Sequence, residues 1–307
     1  MVEARNVICI YEVPIKFQEQ GLDHLICEHL NIWSRGSDLN ELKNIVKIMT
    51  KSKDVVTIGI VGKYVELVES YKSLNEALTH GGIENQCRVK TQFIASDEIE
   101  QQEDLSPFIG NVDGILVPGG FGVRGTEGMI RAIRFAREKN IPFFGICLGM
   151  QMAAVEFARN VCGLTSANSL EFDEKTPHPI ISMMTEQKKV SEKGGTMRLG
   201  TYPCHLAEDS LAAKVYQSTH IDERHRHRFE VNRDYEERLS EKGLVISGRC
   251  PDNNLVEMIE INDHPWFVGC QFHPEFKSSP LQPHPLFTHF IRAAPRYQKS
   301  KHISKES

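Results

Sequence analysis

The 307-residue chain has no Cys-x-x-Cys pair, although it holds eight cysteines. Cys9, Cys27, Cys87, Cys147, Cys162, Cys204, Cys250 and Cys270 are scattered, and such spacing suits neither a zinc site nor a disulfide framework. A reducing, cytoplasmic setting without a metal centre is therefore expected. No apolar run approaches the length of a membrane span, and the N-terminus lacks the pattern of a signal peptide. Positive charge is not in excess either. Lys and Arg number 36 against 41 Asp and Glu, a net charge of −5, which gives no general attraction to nucleic acid or an anionic membrane. Internal repeats and low-complexity segments are missing too. What remains, 40% hydrophobic and 25% charged residues, fits a globular enzyme. The length allows one large domain with extensions, or two small ones.

One stretch organises the rest. Pro142–Gln151 runs apolar to Ile146, places a thiol at Cys147 and then becomes helix-like through Leu148–Cys162, with Gly163 able to close that helix. Glu156, Arg159 and Asn160 are expected on its polar face. A buried strand feeding directly into a helix makes a sharp elbow. Cys147 would sit at its tip, where free N–H groups and the helix dipole favour a thiolate. Gly145 and Gly149 flank the position where a tight turn has least room for a Cβ.

Residues 1–53 read as an appendage: a strand at Val7–Val13, a helix at Gln20–Asn31, a polar linker at Ser34–Asn40 and an amphipathic helix at Glu41–Thr50. They hold too few apolar residues for a core of their own. Residues 54–297 form the main domain. Strands are expected at Val55–Val61, Val89–Ile94, Gly114–Val117 and Phe143–Ile146. Helices are expected over Glu69–His80, stopped by Gly81-Gly82, and from a cap at Thr126 to Lys139. This alternation predicts an α/β fold with a mixed, mainly parallel sheet covered by helices on both faces. Beyond Gly163 the pattern is richer in strands: Ile180–Met184, Thr196–Leu199, Arg228–Asn232, Leu244–Gly248, Val256–Ile261 and Phe267–Phe272. Helices are expected there at Leu206–Gln217, Tyr235–Lys242 and Pro285–Ala294. Residues 298–307 read as a disordered tail.

A cysteine nucleophile needs a base, and the base needs a carboxylate to fix its tautomer. His273 and Glu275, at the end of the Phe267–Phe272 strand, supply that pair. The loop Pro118–Gly125 offers glycine N–H groups for an oxyanion, with Gly120 and Leu148 as the donors. Its Gly-x-Gly-x-x-Gly frame lacks the acidic strand end of a dinucleotide site, and Gly59–Tyr64 lacks the spacing of a P-loop. The basic run Arg224–Arg228 is diluted by Asp222, Glu223 and Glu230, which argues against a nucleic-acid face.

The words Pro-Gly-Gly-Phe-Gly, Gly-Ile-Cys-Leu-Gly-Met-Gln and His-Pro-Glu together resemble the class I (triad) glutamine amidotransferases, whose fold is flavodoxin-like. Val61–Tyr64, Arg124–Gly128, Gly194–Gly200 and Glu223–Asn232 narrow the resemblance to the CTP synthase family, over about Asp54 to Ala294. Val13–Asp23 is similar to the end of that family's synthetase domain, so the chain is expected to be the glutaminase half with a remnant and linker. The resemblance implies a triad of Cys147, His273 and Glu275, and an oxyanion hole at Gly120 and Leu148. It implies glutamine binding by Gly120, Leu148, Gly149, Met150, Gln151, Glu171 and Arg228, where a carboxylate suits an α-amino group and a guanidinium an α-carboxylate. Phe121, Arg124 and Arg198 would belong to elements that respond to GTP. The glutaminase step needs no cofactor. ATP, UTP, Mg²⁺ and GTP are expected only with the synthetase (amidoligase) domain, which accepts the ammonia in an enzyme that is homo-oligomeric when intact.

Two other readings stay open. A cysteine hydrolase of γ-glutamyl peptides could share the triad, and substrate comparison separates it. A non-catalytic module for assembly or regulation is argued against by the complete triad.

Overall fold

The computed structural model describes residues 2–63, 68–183 and 197–306. The chain begins with a 3₁₀ turn, Ile10–Glu12, then α1 (Val13–Glu19), α2 (Leu22–His29) and α3 (Asn40–Lys51), with residues 32–39 irregular between the last two. The strand expected at Val7–Val13 is not formed. Pro14 lies in the first turn of α1, where its missing N–H leaves no bond unmade and its fixed φ suits a helix.

The main body follows as β1 (Val55–Gly62), α4 (Lys72–Glu84), β2 (Arg88–Ala95), the single turns α5 (Ser96–Ile99) and α6 (Ser106–Ile109), β3 (Gly114–Val117), α7 (Thr126–Glu138), β4 (Phe143–Ile146) and α8 (Leu148–Asn160). Then come β5 (Ala167–Ser169), β6 (His178–Met183), β7 (Arg198–Leu206), α9 (Leu211–Tyr216), β8 (His220–His227), β9 (Phe229–Val231) and α10 (Glu236–Glu241). The last elements are β10 (Val245–Arg249), β11 (Val256–Glu260), β12 (Phe267–Cys270) and α11 (Pro285–Glu306).

Nine strands form one sheet in the order β2-β1-β3-β4-β12-β11-β10-β7-β8, and β5-β6-β9 form a smaller one. The large sheet is mixed. Its β2-β1-β3-β4-β12 side is parallel, and the remaining strands pair antiparallel. Strands buried on both faces read as unbroken apolar runs, as in β3, β4 and β12. One face is covered by α7 and α8 through Met129, Ile133, Met152 and Val155; the other is covered by α4, α9 and α11 through Leu78, Val215, Phe287 and Phe290. The appendage leans on this body. Ile45 and Ile48 of α3 pack against Ile83 of α4.

Several local expectations need correction. The fourth helix runs through Gly81-Gly82 instead of stopping there. A Cβ on Gly81 would lie 2.9 Å from Phe287 O, so this glycine serves the close approach of α4 to α11. Gly125, at φ +69°, takes the N-cap place of α7, while the Thr126 hydroxyl donates to Val123 O at 2.8 Å. Leu206 belongs to β7, so only Leu211–Tyr216 is helical, capped by Ser210 accepting from Ala213 N. Of the short strand expected at Thr196–Leu199, Arg198 and Leu199 begin a long hairpin, β7 with β8. Met184 and Thr196, at the ends of two expected strands, lie outside the described residues. The expected disordered tail is helix through Glu306. There Gln298 reaches Val55 O at 3.4 Å, and Lys301 donates to Val112 O.

Candidate active site

The carboxyl ends of β1, β3, β4 and β12 lie side by side, and each delivers part of one site. Ile146 pairs with Cys270 in parallel register, and Cys147 N donates to Cys270 O at 2.7 Å. Cys147 is therefore level with Gln271, two residues short of His273, which follows the neighbouring strand. Its backbone is strained, at φ 51° and ψ −102°, as a nucleophile elbow requires. The flanking glycines explain the frame. A Cβ on Gly145 would meet Gly149 C at 2.8 Å, and one on Gly149 would meet Val117 O at 2.0 Å. The helix can follow the strand this tightly only without those side chains.

His273 Nδ1 lies 2.8 Å from Glu275 Oε1, and the ring lines the same cleft as Cys147, whose sulfur is its main electrostatic partner after burial. With the Nδ1 hydrogen given to the carboxylate, Nε2 faces the sulfur. Burial alone would lower the imidazole pKa. The facing Cys147 sulfur and the Glu275 carboxylate outweigh it and raise the value to about 10, so the imidazolium form is favoured. Gly119 gives the ring its space, since a Cβ there would stand 2.7 Å from His273 Cε1. Gly120 lies next to Leu148, its built Cβ position 3.4 Å from Leu148 Cδ2. Leu148 opens α8, so its N–H is among the first-turn groups that the helix leaves unbonded.

Two hollows meet at Gly120, Phe121 and Cys147. The inner one, of about 20 Å³, is also lined by Gln151, Glu171, His227, Arg228 and Phe229. The outer cleft, of about 190 Å³, opens past His273, Glu275, Phe276 and Arg226. The structure thus brings Gly120, Cys147, Gln151, Glu171 and Arg228 to one cavity. Glu171 also accepts from Gly122 N at 2.9 Å, which ties it to the glycine loop. Met150 is placed differently. It is wholly buried, and a Cβ on Gly269 would touch its Cγ at 2.8 Å, so its side chain packs under β12 rather than into the cavity. Gly149 likewise faces β3, leaving only its backbone for a ligand.

Of the other three residues singled out, Phe121 is exposed on the rim of both hollows. Arg124 donates to Lys63 O, and Lys63 donates to Phe121 O at 3.2 Å. Burial, helped by Arg124 and opposed by Glu171, lowers the Lys63 amine to about 8. Tyr64, Gly194, Gly195 and Thr196 lie outside the described residues.

Arg198 is not with Phe121 and Arg124. It is buried between Glu230 at 3.1 Å and Glu257 at 2.9 Å, over the Tyr202 ring. Burial pushes Glu230 up to about 8 and Glu257 to about 7, against the pull of Arg198. One guanidinium cannot balance two carboxylates out of water, so the trio retains a proton near neutral pH. His225 lies 3.6 Å from Glu257 and is held down to about 3, first by burial, then by Arg198 and His273. Along β8 the arginines Arg224 and Arg226 point out, while Glu223, His225 and His227 point in. Glu156, expected on the polar face of α8, is wholly buried and pairs with Arg137 at 2.7 Å.

His227, Phe229 and Gln271 also belong to the site but carried no sequence signal strong enough to choose them. Gln271 lies just past the end of β12, two residues before His273, and that nearness to the base was the available clue.

Residues 66–293 match the family model described as Glutamine amidotransferase class-I. The chain belongs to this family. This amidotransferase is 60% identical over 298 residues to a CTP synthase of Syntrophus aciditrophicus, an alignment covering 97% of this chain and 55% of that protein. It is 59% identical over 286 residues to a CTP synthase of Geotalea uraniireducens, covering 93% and 53%. The chain thus spans about half the length of the curated relatives it matches. Among solved structures it is similar to the glutaminase domain of Trypanosoma brucei CTPS with bound acivicin. The TM-score is 0.73 at 37% identity, covering 78% of this chain and 94% of that one. No helix among the described residues is long and apolar enough to cross a membrane.

Proposed function

We propose that this chain hydrolyses L-glutamine to glutamate and ammonia, with Cys147 as nucleophile, His273 as acid and base and Glu275 as its orienter. The observation that carries this reading is that Cys147, His273 and its carboxylate partner Glu275 line one cleft, and that Cys147 also borders the hollow lined by Glu171 and Arg228. The Cys147 thiolate attacks the side-chain amide carbon. The N–H groups of Gly120 and Leu148 receive the oxyanion, and donors of this kind contribute about a hundred- to a thousand-fold in rate. His273 protonates the departing ammonia, then deprotonates the water that releases glutamate from the thioester. Arg228 takes the α-carboxylate and Glu171 the α-amino group. Gly149 serves through its backbone, as does Met150.

In a protein of the relatives' full length, the ammonia would pass to an amidoligase domain that converts UTP to CTP with ATP and Mg²⁺, in a cytoplasmic homo-oligomer. The Phe121–Gly125 loop, held by Lys63, is the element we assign to a GTP response; Arg198 would act on it only indirectly. The test is ammonia release by the purified chain. Glutamine hydrolysis without CTP formation from UTP, ATP and glutamine is expected. Faster turnover of a γ-glutamyl peptide than of glutamine would overturn the assignment.

A further inference from the structure

Cys147 Sγ has a second polar neighbour besides His273. Gln271 is wholly buried, and its Nε2 lies 3.7 Å from the sulfur. The direction of this contact follows from a backbone group. Phe229 O can only accept, and it takes Nε2 of Gln151 at 2.8 Å. The same nitrogen donates again to Gln271 Oε1 at 3.0 Å. Gln271 must offer its carbonyl oxygen there, which turns its amide nitrogen to Cys147. Reversing the Gln271 amide would set donor against donor at Gln151. Reversing Gln151 would set its oxygen against Phe229 O.

We propose that Gln271 is a catalytic residue whose amide N–H donates to the Cys147 sulfur and holds it as thiolate. Its oxygen, in addition, fixes Gln151. An N–H bonds a charged sulfur more strongly than a neutral one, so the contact favours the reactive form. It acts again when the thioester breaks and the C–S electron pair returns to sulfur. Gln151 Nε2 is committed to two acceptors, so Oε1 is the atom that Gln151 offers to the cavity it lines. An acceptor there binds an N–H of the substrate and disfavours a carboxylate in the same place.

The effect on turnover rests on the glutaminase reading above, but the effect on thiol reactivity does not. The experiment compares wild type with Gln271→Met, which removes both bonds at similar volume, and with Gln271→Glu, which keeps an acceptor for Gln151 and replaces the donor. Iodoacetamide alkylation of Cys147 is followed against pH, alongside glutaminase kcat and KM and the thermal transition. At pH 7 both variants are expected to alkylate about tenfold more slowly, the scale of one hydrogen bond to a charged group. Both should lose kcat, and only the Met variant should also raise KM. Should the Glu variant fail to fold, the Met variant decides. Alkylation profiles that superimpose on wild type in folded protein would overturn the proposal, even with lowered melting. A wild type without glutaminase activity would instead remove the functional reading and leave the alkylation comparison intact.

Discussion

Replacing Gly119 with alanine puts a methyl group where the structure leaves room only for hydrogen. The new Cβ would lie 2.7 Å from His273 Cε1, against an ordinary carbon contact of at least about 3.4 Å. The other near atoms are no closer than Cys147 Cβ at 3.5 Å and His273 Nδ1 at 3.6 Å, so the conflict falls on the imidazole alone. The ring borders the open cleft and can yield by about 0.7 Å, which breaks the alignment of Nε2 with the sulfur. Misplacements of this size cost roughly 10- to 100-fold in kcat, while an outward-shifted ring should lower stability by no more than about 2 kcal/mol. The assay is glutamate release with thermal melting in parallel. Wild-type kcat in a folded Gly119→Ala variant would mean that His273 does not act from the position seen here.

Cys147→Ala should abolish glutamine hydrolysis while costing at most a few kcal/mol, since little volume is removed; a lost thermal transition would leave the lost activity without catalytic meaning. Glu171→Ala and Arg228→Ala should each lower kcat/KM for glutamine while a small neutral alkylating reagent still modifies Cys147; unchanged kinetics in both would take them out of the site. His225 is held at about 3 in the fold against 6.5 unfolded, so between these values the unfolded chain binds the extra proton and stability falls as pH falls. In His225→Asn, urea denaturation should therefore lose stability less steeply below pH 6.5, by about 1.4 kcal/mol per pH unit, and equal slopes would contradict a buried neutral imidazole.

The elbow was legible because its glycines answer to sterics within a few residues. Gly145 and Gly149 touch each other and Val117, and the strand-to-helix change is written locally. The β7–β8 hairpin was not legible for the opposite reason. Its inward positions are Glu223, His225 and His227, so no apolar alternation marks the strand, and the partners that make burial tolerable come from β7 and β11. Arg198 was grouped with Phe121 and Arg124 by resemblance, and nothing in its local sequence announced that Glu230 and Glu257 would enclose it. The end of α11 misled through its polarity, although Gln298 and Lys301 spend that polarity on carbonyls at Val55 and Val112. Glu171 and Arg228 came from resemblance to a family, because nothing local distinguishes a clamp from a solvated side chain.

The central claim is that one thiol, Cys147, attacks the side-chain carbonyl of a glutamine held in the adjoining cavity. A diazo-ketone analogue of glutamine tests both halves at once, because it must bind as glutamine does and then react with the nucleophile. Mass spectrometry of the treated chain should find a single adduct on Cys147, formed more slowly when glutamine is present. An adduct on any of the other seven cysteines, or none while iodoacetamide still modifies Cys147, would contradict the account.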